Sequence, residues 1–356
     1  MAKEIIEIDG GTGEGGGQIL RTSLALSALT GKAVRVYNIR ASRSVPGLRP
    51  QHILSAVAAS RITGGEVSGA SPGSMELVFR PGPVRHGEHS FDVSEIMPSA
   101  GAASLVFQTV ALPLAFAPGR SSLTIKGGTH VEWSPPADYI KEVFLPSAFR
   151  MGLSADLHNP IMGYYPAGGG EIRSTIIPSR EPLKALSVAE RGPLVRVRVR
   201  STVSNLPLSI ATRQLKRVEA RLEPLGLMLE KKKEEAPSPG KGSFVFISAE
   251  YENIVAGFSA LGAIGKKAEA VGDEASDRFL SYFHKTGALD PHLADQLAPL
   301  MALASGESRA TVSEVTPHLT TNIRVIEEFL PVKFTLKGAG GEEGEVSVAG
   351  CAFKAP

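Results

Sequence analysis

One pattern constrains the fold of this chain more than any other: a helix, a short glycine-containing turn, a β-rich run, a polar loop and a second helix, recurring with weak similarity over residues 18–60, 102–149 and 292–330. Each copy carries a glycine, Gly31, Gly119 or Gly306, predicted to end its first helix because glycine accepts the left-handed backbone that helix ends need. Aligned on that glycine, the positions 10 or 11 residues earlier are Arg21, Gln108 and Asp295, polar residues inside otherwise apolar helices. Forward of it, the strand-to-helix loops hold Arg40 and Arg43, then His130, then His318. Copies packed around a pseudo-threefold axis would gather these loops and helix starts at one end of an α/β structure. Generic α/β patterning also produces such similarity, so the chemistry of the loops has to decide.

Between the second and third copies the character of the chain changes. Residues 181–271 hold an alternating basic strand, VRVRVRS, and a charged segment rich in proline and glycine, EKKKEEAPSPGKG. They are read as a small inserted α/β domain: a strand, a helix around Ile210 to Leu225, a strand around Phe244 to Ala249, then another helix. Residues 1–180 and 272–356 are left as the large domain, a division that suits a chain of 356 residues. The run Lys231–Lys233 is read as a solvated loop.

The N-terminal stretch MAKEIIEIDG has acidic residues where a secretory signal needs an apolar core, and no apolar run approaches membrane-spanning length. A cytoplasmic protein with no membrane contact is therefore expected. Cys351 is the single cysteine, far in sequence from every glycine-rich or histidine-bearing turn, and is expected to be neither catalytic nor a metal ligand. The formal charge of +2 conceals one lopsided segment: Gly15 to Gly65 has no Asp or Glu but holds Arg21, Lys32, Arg35, Arg40, Arg43, Arg49 and Arg61. Such a segment suits a polyanion.

Its first motif, IDGGTGEGGGQILR, follows a β-rich run and opens a helix, which leaves bare backbone N–H groups for phosphate. The GxGxxG at Gly11, Gly13 and Gly16 lacks the acidic residue about 20 positions on that a dinucleotide fold sets against ribose. No Gly-Lys-Ser/Thr completes a Walker loop either. What remains is an anion loop with one carboxylate, Glu14, of the kind that shares a divalent cation with phosphate oxygens. The same residues would serve equally as a plain turn with an exposed glutamate.

In RASRSVPGLRPQ, Arg40, Arg43 and Arg49 share a segment restrained by Pro46 and Pro50, and Gln51 starts the next helix. Planar guanidinium groups grip phosphate in pairs and stay charged at any working pH. Of the eight histidines, His86 and His89 lie in a polar connection, and His52 and His158 have no catalytic company in sequence. His318 sits in VTPHLTTN, a strand-to-helix turn with Thr320, Thr321 and Asn322 available as helix caps. A lone histidine in a turn is usually structural or merely exposed; the equivalence of this one to the Arg40/Arg43 loop singles it out.

Taken together, the blocks DGGTGEGGGQILRTSLALS, RASRSVPGLRPQH, GGTHVEWSPPADYI, PHLADQLAPLMALA and PHLTTNI resemble the RNA 3'-terminal phosphate cyclase family over essentially the whole chain. The resemblance implies three repeated units, each a four-stranded sheet backed by two helices, with a small α/β domain inserted before the last. It implies that His318 is the nucleophile that becomes adenylylated, that Glu14 holds a metal, and that Arg21, Arg40, Arg43 and Gln51 line the active site. Gln108, Pro135, Phe258, His292, Leu293, Ala294, Asp295 and Gln296 fall on positions around ATP, with His292 standing where some members have tyrosine.

The reaction so implied uses ATP and a divalent cation, magnesium or manganese. It converts an RNA 3'-terminal phosphate to a 2',3'-cyclic phosphodiester through a histidine–AMP intermediate and an RNA–adenylate. A homo-oligomer is compatible with it. RNA would be held mainly by its terminal phosphates, since aromatic residues make up 6% of the chain and no RNA-recognition aromatic motif is present. Two rivals remain open at this level: a non-catalytic ribosome-assembly relative, against which the presence of His318 speaks, and an enolpyruvate-type transferase.

Overall fold

In the computed structural model, which describes residues 5–354, β1 (Ile5–Asp9), α1 (Gly17–Thr30), β2 (Ala33–Tyr37), α2 (Pro50–Thr63), β3 (Glu66–Ser68) and β4 (Leu77–Arg80) follow in order. The first four residues of the N-terminal stretch lie outside that range. The strands form a sheet in the order β1-β2-β4-β3. Its first pair is parallel and the others are antiparallel, as helix crossovers and tight returns respectively require.

The second stretch runs β5 (Gly87–Asp92), α3 (Ala103–Ala115), β6 (Ser121–Gly127), α4 (Ala137–Tyr139), a π-spaced segment Ile140–Phe144, α5 (Leu145–Arg150), β7 (Ser154–Ala155), β8 (His158–Ile161) and β9 (Gly170–Ile177). Its sheet has the order β5-β6-β9-β7 with β8 also on β9, and again the first pair is parallel. A third sheet begins with β10 (Ser187–Val188) and leaves for a separate group of elements. That group is β11 (Leu194–Ser204), α6 (Leu208–Leu222), β12 (Leu229–Glu235), β13 (Gly242–Tyr251), β14 (Val255–Leu261) and α7 (Ala268–Phe283). The third sheet then resumes with α8 (Leu293–Leu303), β15 (Ser305–Val312), α9 (Pro317–Phe329), β16 (Phe334–Lys337) and β17 (Gly344–Cys351), in the order β10-β15-β17-β16. The α/β class expected from the sequence holds, as several small mixed sheets with helices.

The excursion forms its own sheet, β12-β11-β13-β14, against which α6 and α7 pack. Its limits differ from those read in the sequence. α7 runs through residue 271 and packs on α6, β13 and β14, so the edge at 271 cuts a helix, while β10 pairs with β15 and belongs to the third sheet. Lys231–Lys233 are not a loop but lie in β12, an exposed edge strand, where charge discourages pairing with a second chain.

The expected glycine caps hold only once. Gly31 ends α1 at φ 70° with its N–H on Ser27 O at 3.0 Å. α3 instead closes at Phe116, whose N–H bonds Pro113 O, ahead of Gly119. α8 passes through the extended Ala304 straight into β15, which contains Gly306.

α1 is the helix that fixes the site. It touches α2, α3 and α9, and most of its length is buried, from Gln18 through Leu29. A helix packed on this many sides belongs to a core, so the polar residues in its first turns point into the middle of the protein.

Candidate active site

His318 is the second residue of α9, set there by Pro317 at the first helical position and by Thr316, whose hydroxyl accepts from Leu319 N–H at 3.1 Å. Thr316 is thus the cap, not Thr320, Thr321 or Asn322. Thr320 bonds back to Pro317 O at 3.0 Å within the helix, whereas Thr321 and Asn322 stitch α9 to its neighbours. Thr321 Oγ1 accepts from Glu14 N–H at 3.1 Å, and Asn322 Oδ1 accepts from Thr22 Oγ1 at 2.6 Å. Asn322 Nδ2 donates to Asp295 O at 2.6 Å. Burial, then the charges of Arg21, His292 and Arg43, lower the His318 pKa to about 4. The ring is neutral at ordinary working pH and still half-exposed.

Its Nδ1 lies 2.7 Å from Gln18 Oε1, and Gln18 Nε2 lies 2.8 Å from Asp295 Oδ2. An ionised carboxylate only accepts, so Asp295 fixes which end of the Gln18 amide faces the imidazole. The oxygen end faces Nδ1, which must therefore carry the proton, leaving the lone pair on Nε2. Burial raises the Asp295 pKa to about 7 against the opposing charge of Arg21, with Asp290 adding to the rise.

The glycine loop supplies the other wall. Gly13 holds φ 61°, and a side chain there would collide with Thr321 Oγ1, so loop and α9 meet at backbone distance. Glu14 contacts Arg43 through Oε1, and its backbone oxygen accepts from Arg43 Nη2 at 3.2 Å. The other carboxylate oxygen, Oε2, is buried, has no hydrogen-bond partner, and lies 3.8 Å from His318 Nδ1. An orphaned carboxylate oxygen is what a hard divalent cation takes, together with phosphate oxygens. Among the described residues no cluster of three or more His, Cys, Asp or Glu is arranged as a metal cage, so a cation here would rest on Glu14 and its substrate. Arg21, one turn along α1 from Gln18, has its pKa lowered to about 10 by burial, opposed by Asp295, and remains a cation.

Arg40 is placed differently from the expectation of a free phosphate fork. At φ 55° it turns back on its own loop, and Nη1 donates to Val45 O at 2.7 Å and Gly47 O at 2.9 Å. It shapes the arginine segment. Gln51 Oε1 accepts from Ala102 N–H at 3.1 Å, tying the start of α2 to that of α3. His52, without company in sequence, is buried beside the site. Its Nδ1 accepts from Arg49 N–H at 3.1 Å, and a side chain at Gly17 would strike its Nε2. Burial, then Arg21, Arg40 and Arg49, lower its pKa to about 3.

The start of α8 is organised by Asp290, fully buried, which sequence reasoning passed over although Asp-Pro before a helix is a turn signal. Its carboxylate accepts from Tyr139 OH at 2.8 and 3.0 Å, His292 N–H at 2.9 Å, Leu293 N–H at 3.1 Å and Gly257 N–H at 3.3 Å. Leu293 and Ala294 are buried by this anchoring, and His292 is exposed. Gln296 Nε2 donates to His292 O at 2.8 Å, and its Oε1 accepts from Gln108 Nε2 at 2.7 Å, joining α8 to α3. Pro135 lies in the loop before α4, partly accessible. Phe258 does not join them: it is buried in an aromatic cluster with Phe279 at 5.7 Å and Tyr282 at 5.3 Å between ring centres, because its register in β14 turns it toward α7.

The first turns of α1, α8 and α9 therefore meet at His318, and those of α2 and α3 meet at Gln51. Helix starts carry partial positive charge and unpaired N–H groups, and with Arg21 and Arg43 they make this end of the protein suited to several phosphates. Gln18, Asp290 and His52 are the members that sequence reasoning missed.

A family model described as RNA 3'-terminal phosphate cyclase matches residues 12–336. Proteins called RNA 3'-terminal phosphate cyclase from Methylococcus capsulatus, Trichormus variabilis and Pyrococcus furiosus are 44%, 45% and 41% identical to the chain. They cover 91%, 94% and 97% of it, and the matched parts are 91%, 97% and 98% of their own lengths. A solved EPSP synthase from Acinetobacter baumannii is similar at 11% identity and a TM-score of 0.29, over 97% of this chain and 63% of that one, too slight a likeness to bear on fold or function.

Proposed function

Since the chain belongs to the RNA 3'-terminal phosphate cyclase family, we propose that it is an ATP-dependent nucleotidyl-transferring ligase that closes an RNA 3'-terminal phosphate to a 2',3'-cyclic phosphodiester. The observation that carries this reading is the neutral His318, with its Nδ1 held by Gln18 and its Nε2 unheld, at the meeting point of helix starts and the cations Arg21 and Arg43.

In the first step His318 Nε2 attacks the α-phosphorus of ATP; an N–P bond forms and the bond to pyrophosphate breaks. Arg21 and Arg43 offset charge on the departing oxygens, Arg43 by exchanging Glu14 for phosphate. Gln18 keeps the proton on Nδ1 as positive charge grows on the ring. A divalent cation held at Glu14 Oε2 would neutralise phosphate charge in this step. In the second step an oxygen of the RNA 3'-phosphate attacks the histidine-bound phosphorus, and the N–P electrons return to Nε2. In the third, the adjacent 2'-hydroxyl oxygen attacks the 3'-phosphorus, the new O–P bond forms as the bond to AMP breaks, and the hydroxyl proton leaves with the departing AMP phosphate. The reacting groups share one ribose, so little entropy is lost on approach.

The same reading organises the chain as three copies of one unit around a pseudo-threefold axis, with β11 to α7 as the inserted domain. The like strand orders of the three sheets support it. Incubation with α-labelled ATP and magnesium or manganese tests the function. The label is expected to be covalent, acid-labile and alkali-stable, and absent from His318→Ala. Labelling retained in that variant refutes the nucleophile.

A further inference from the structure

Trp133 is the single tryptophan of the chain and is 95% exposed. Its backbone is left-handed, at φ 64°, a conformation that is costly for a bulky residue. An indole held at that cost in full contact with water does nothing for the core, and strained positions of this kind gather at binding sites. A second ring stands nearby: Tyr165 is 78% exposed. The two segments are tied together, since His130 bridges Tyr164 in parallel and the N–H groups of Thr129 and His130 both donate to Gly163 O, at 2.9 and 3.0 Å.

Their location argues for what they face. Val131 packs on Ala102 and Leu105, and Ala102 N–H is the group that Gln51 holds. Gln51 follows directly on the segment that holds Arg40, Arg43 and Arg49, so the loop that carries Trp133 reaches the site from the side of those guanidinium groups, which suit the terminal phosphate of an RNA. A groove of about 270 Å³ starts at Pro166, the residue after Tyr165, and is lined also by Asp92, Ser94, Ser99, Lys126 and Gly169. A lysine in a groove that begins beside an exposed ring suits a strand whose phosphates alternate with flat bases.

We propose that Trp133 and Tyr165 form a stacking platform for the bases of the RNA next to its 3' end, a proposal that rests on the reaction assigned above. Every base offers a π face, so such a platform would be indifferent to sequence, and each stacked base is worth roughly 10-fold in affinity.

Because Trp133 is the only indole, its fluorescence reports on the platform in the unaltered protein. A short RNA ending in a 3'-phosphate, added without ATP, is expected to quench it, whereas ATP with magnesium is not. Trp133→Ala should raise KM for that RNA about 10-fold with kcat little changed, Tyr165→Ala should do the same, and Trp133→Phe should restore most of the loss. Quenching by ATP in place of RNA would assign the indole to adenine and overturn the proposal, as would an unchanged KM in both alanine variants. A wild-type chain that takes no AMP label while RNA still quenches the indole would defeat the enzymatic reading and leave the platform standing.

Discussion

His318 and His130 both follow the second strand of a parallel pair, His130 in the loop before α4 and His318 in the first turn of α9, yet they are differently employed. His130 is buried with both ring nitrogens engaged, Nδ1 with Thr129 Oγ1 at 2.8 Å and Nε2 with Asp138 Oδ2 at 2.7 Å. Asp138 in turn contacts Arg200 of β11, which also bonds Glu142 at 2.8 Å. That network joins the second sheet's helix to the inserted sheet. His318 has one nitrogen held and the other free, in a half-exposed ring. The corresponding loop after β2 carries Arg40, whose guanidinium is turned onto its own backbone. All three residues follow the second strand of a parallel pair; the number of polar atoms left unpaired decides which can react.

The comparison breaks most sharply at Asp138. Removing one partner of a buried, hydrogen-bonded charge network costs about 3–5 kcal/mol, so Asp138→Ala should lower the unfolding free energy by that much, with a lower denaturant midpoint, while AMP labelling of the folded fraction persists. A midpoint unchanged in denaturant titrations would make the His130 side as loosely held as the His318 side. The burial of Asp138 alone would raise its pKa, but the hydrogen bond to His130 and the charges of His130 and Arg200 bring it down to about 2, so its carboxylate stays ionised wherever the protein is assayed.

Next in size is Gln18→Ala. Loss of the group that orients a reacting imidazole should slow single-turnover AMP transfer about 100-fold, with ATP affinity little altered. An undiminished rate would mean that Nδ1 is not held by Gln18 during reaction.

The smallest effect is in the pH profile. His318, with a pKa lowered to about 4, stays neutral through the working range, so its own protonation should slow labelling only as pH falls toward 4. Asp295, raised to about 7, is ionised above that pH. Below it the protonated acid can donate to Gln18, the amide can turn, and the proton on the imidazole shifts to Nε2. Labelling should therefore fall several-fold as pH drops through about 7, and Asp295→Asn should flatten that limb. A profile flat through neutrality in the wild type would detach Asp295 from the tautomer of His318.

Much of this was legible in the sequence because it is locally encoded. Helical and strand periods mark many of the α/β elements, and Glu14, Arg21, Arg43, Asp295 and His318, named from motifs, do come together. Gln18 was not legible: its partners lie 277 and 300 positions away, and no local pattern encodes such a pairing. Asp290 and His52 are hidden for the same reason, their roles arising where several elements meet. Phe258 was assigned to the site when its side of β14 faces α7, a matter of register that a short aromatic-containing run leaves open. Lys231–Lys233 reads as a loop in sequence because edge strands and loops share the same charged composition.

The central claim is that one nitrogen of one imidazole carries the AMP. It can be read directly by preparing the protein with 15N-labelled histidine, forming the AMP adduct, and recording phosphorus–nitrogen coupling by NMR. Coupling to Nε2 of His318, with Nδ1 still protonated, is the result predicted; coupling to its Nδ1, or to a nitrogen of any other histidine, would contradict the account.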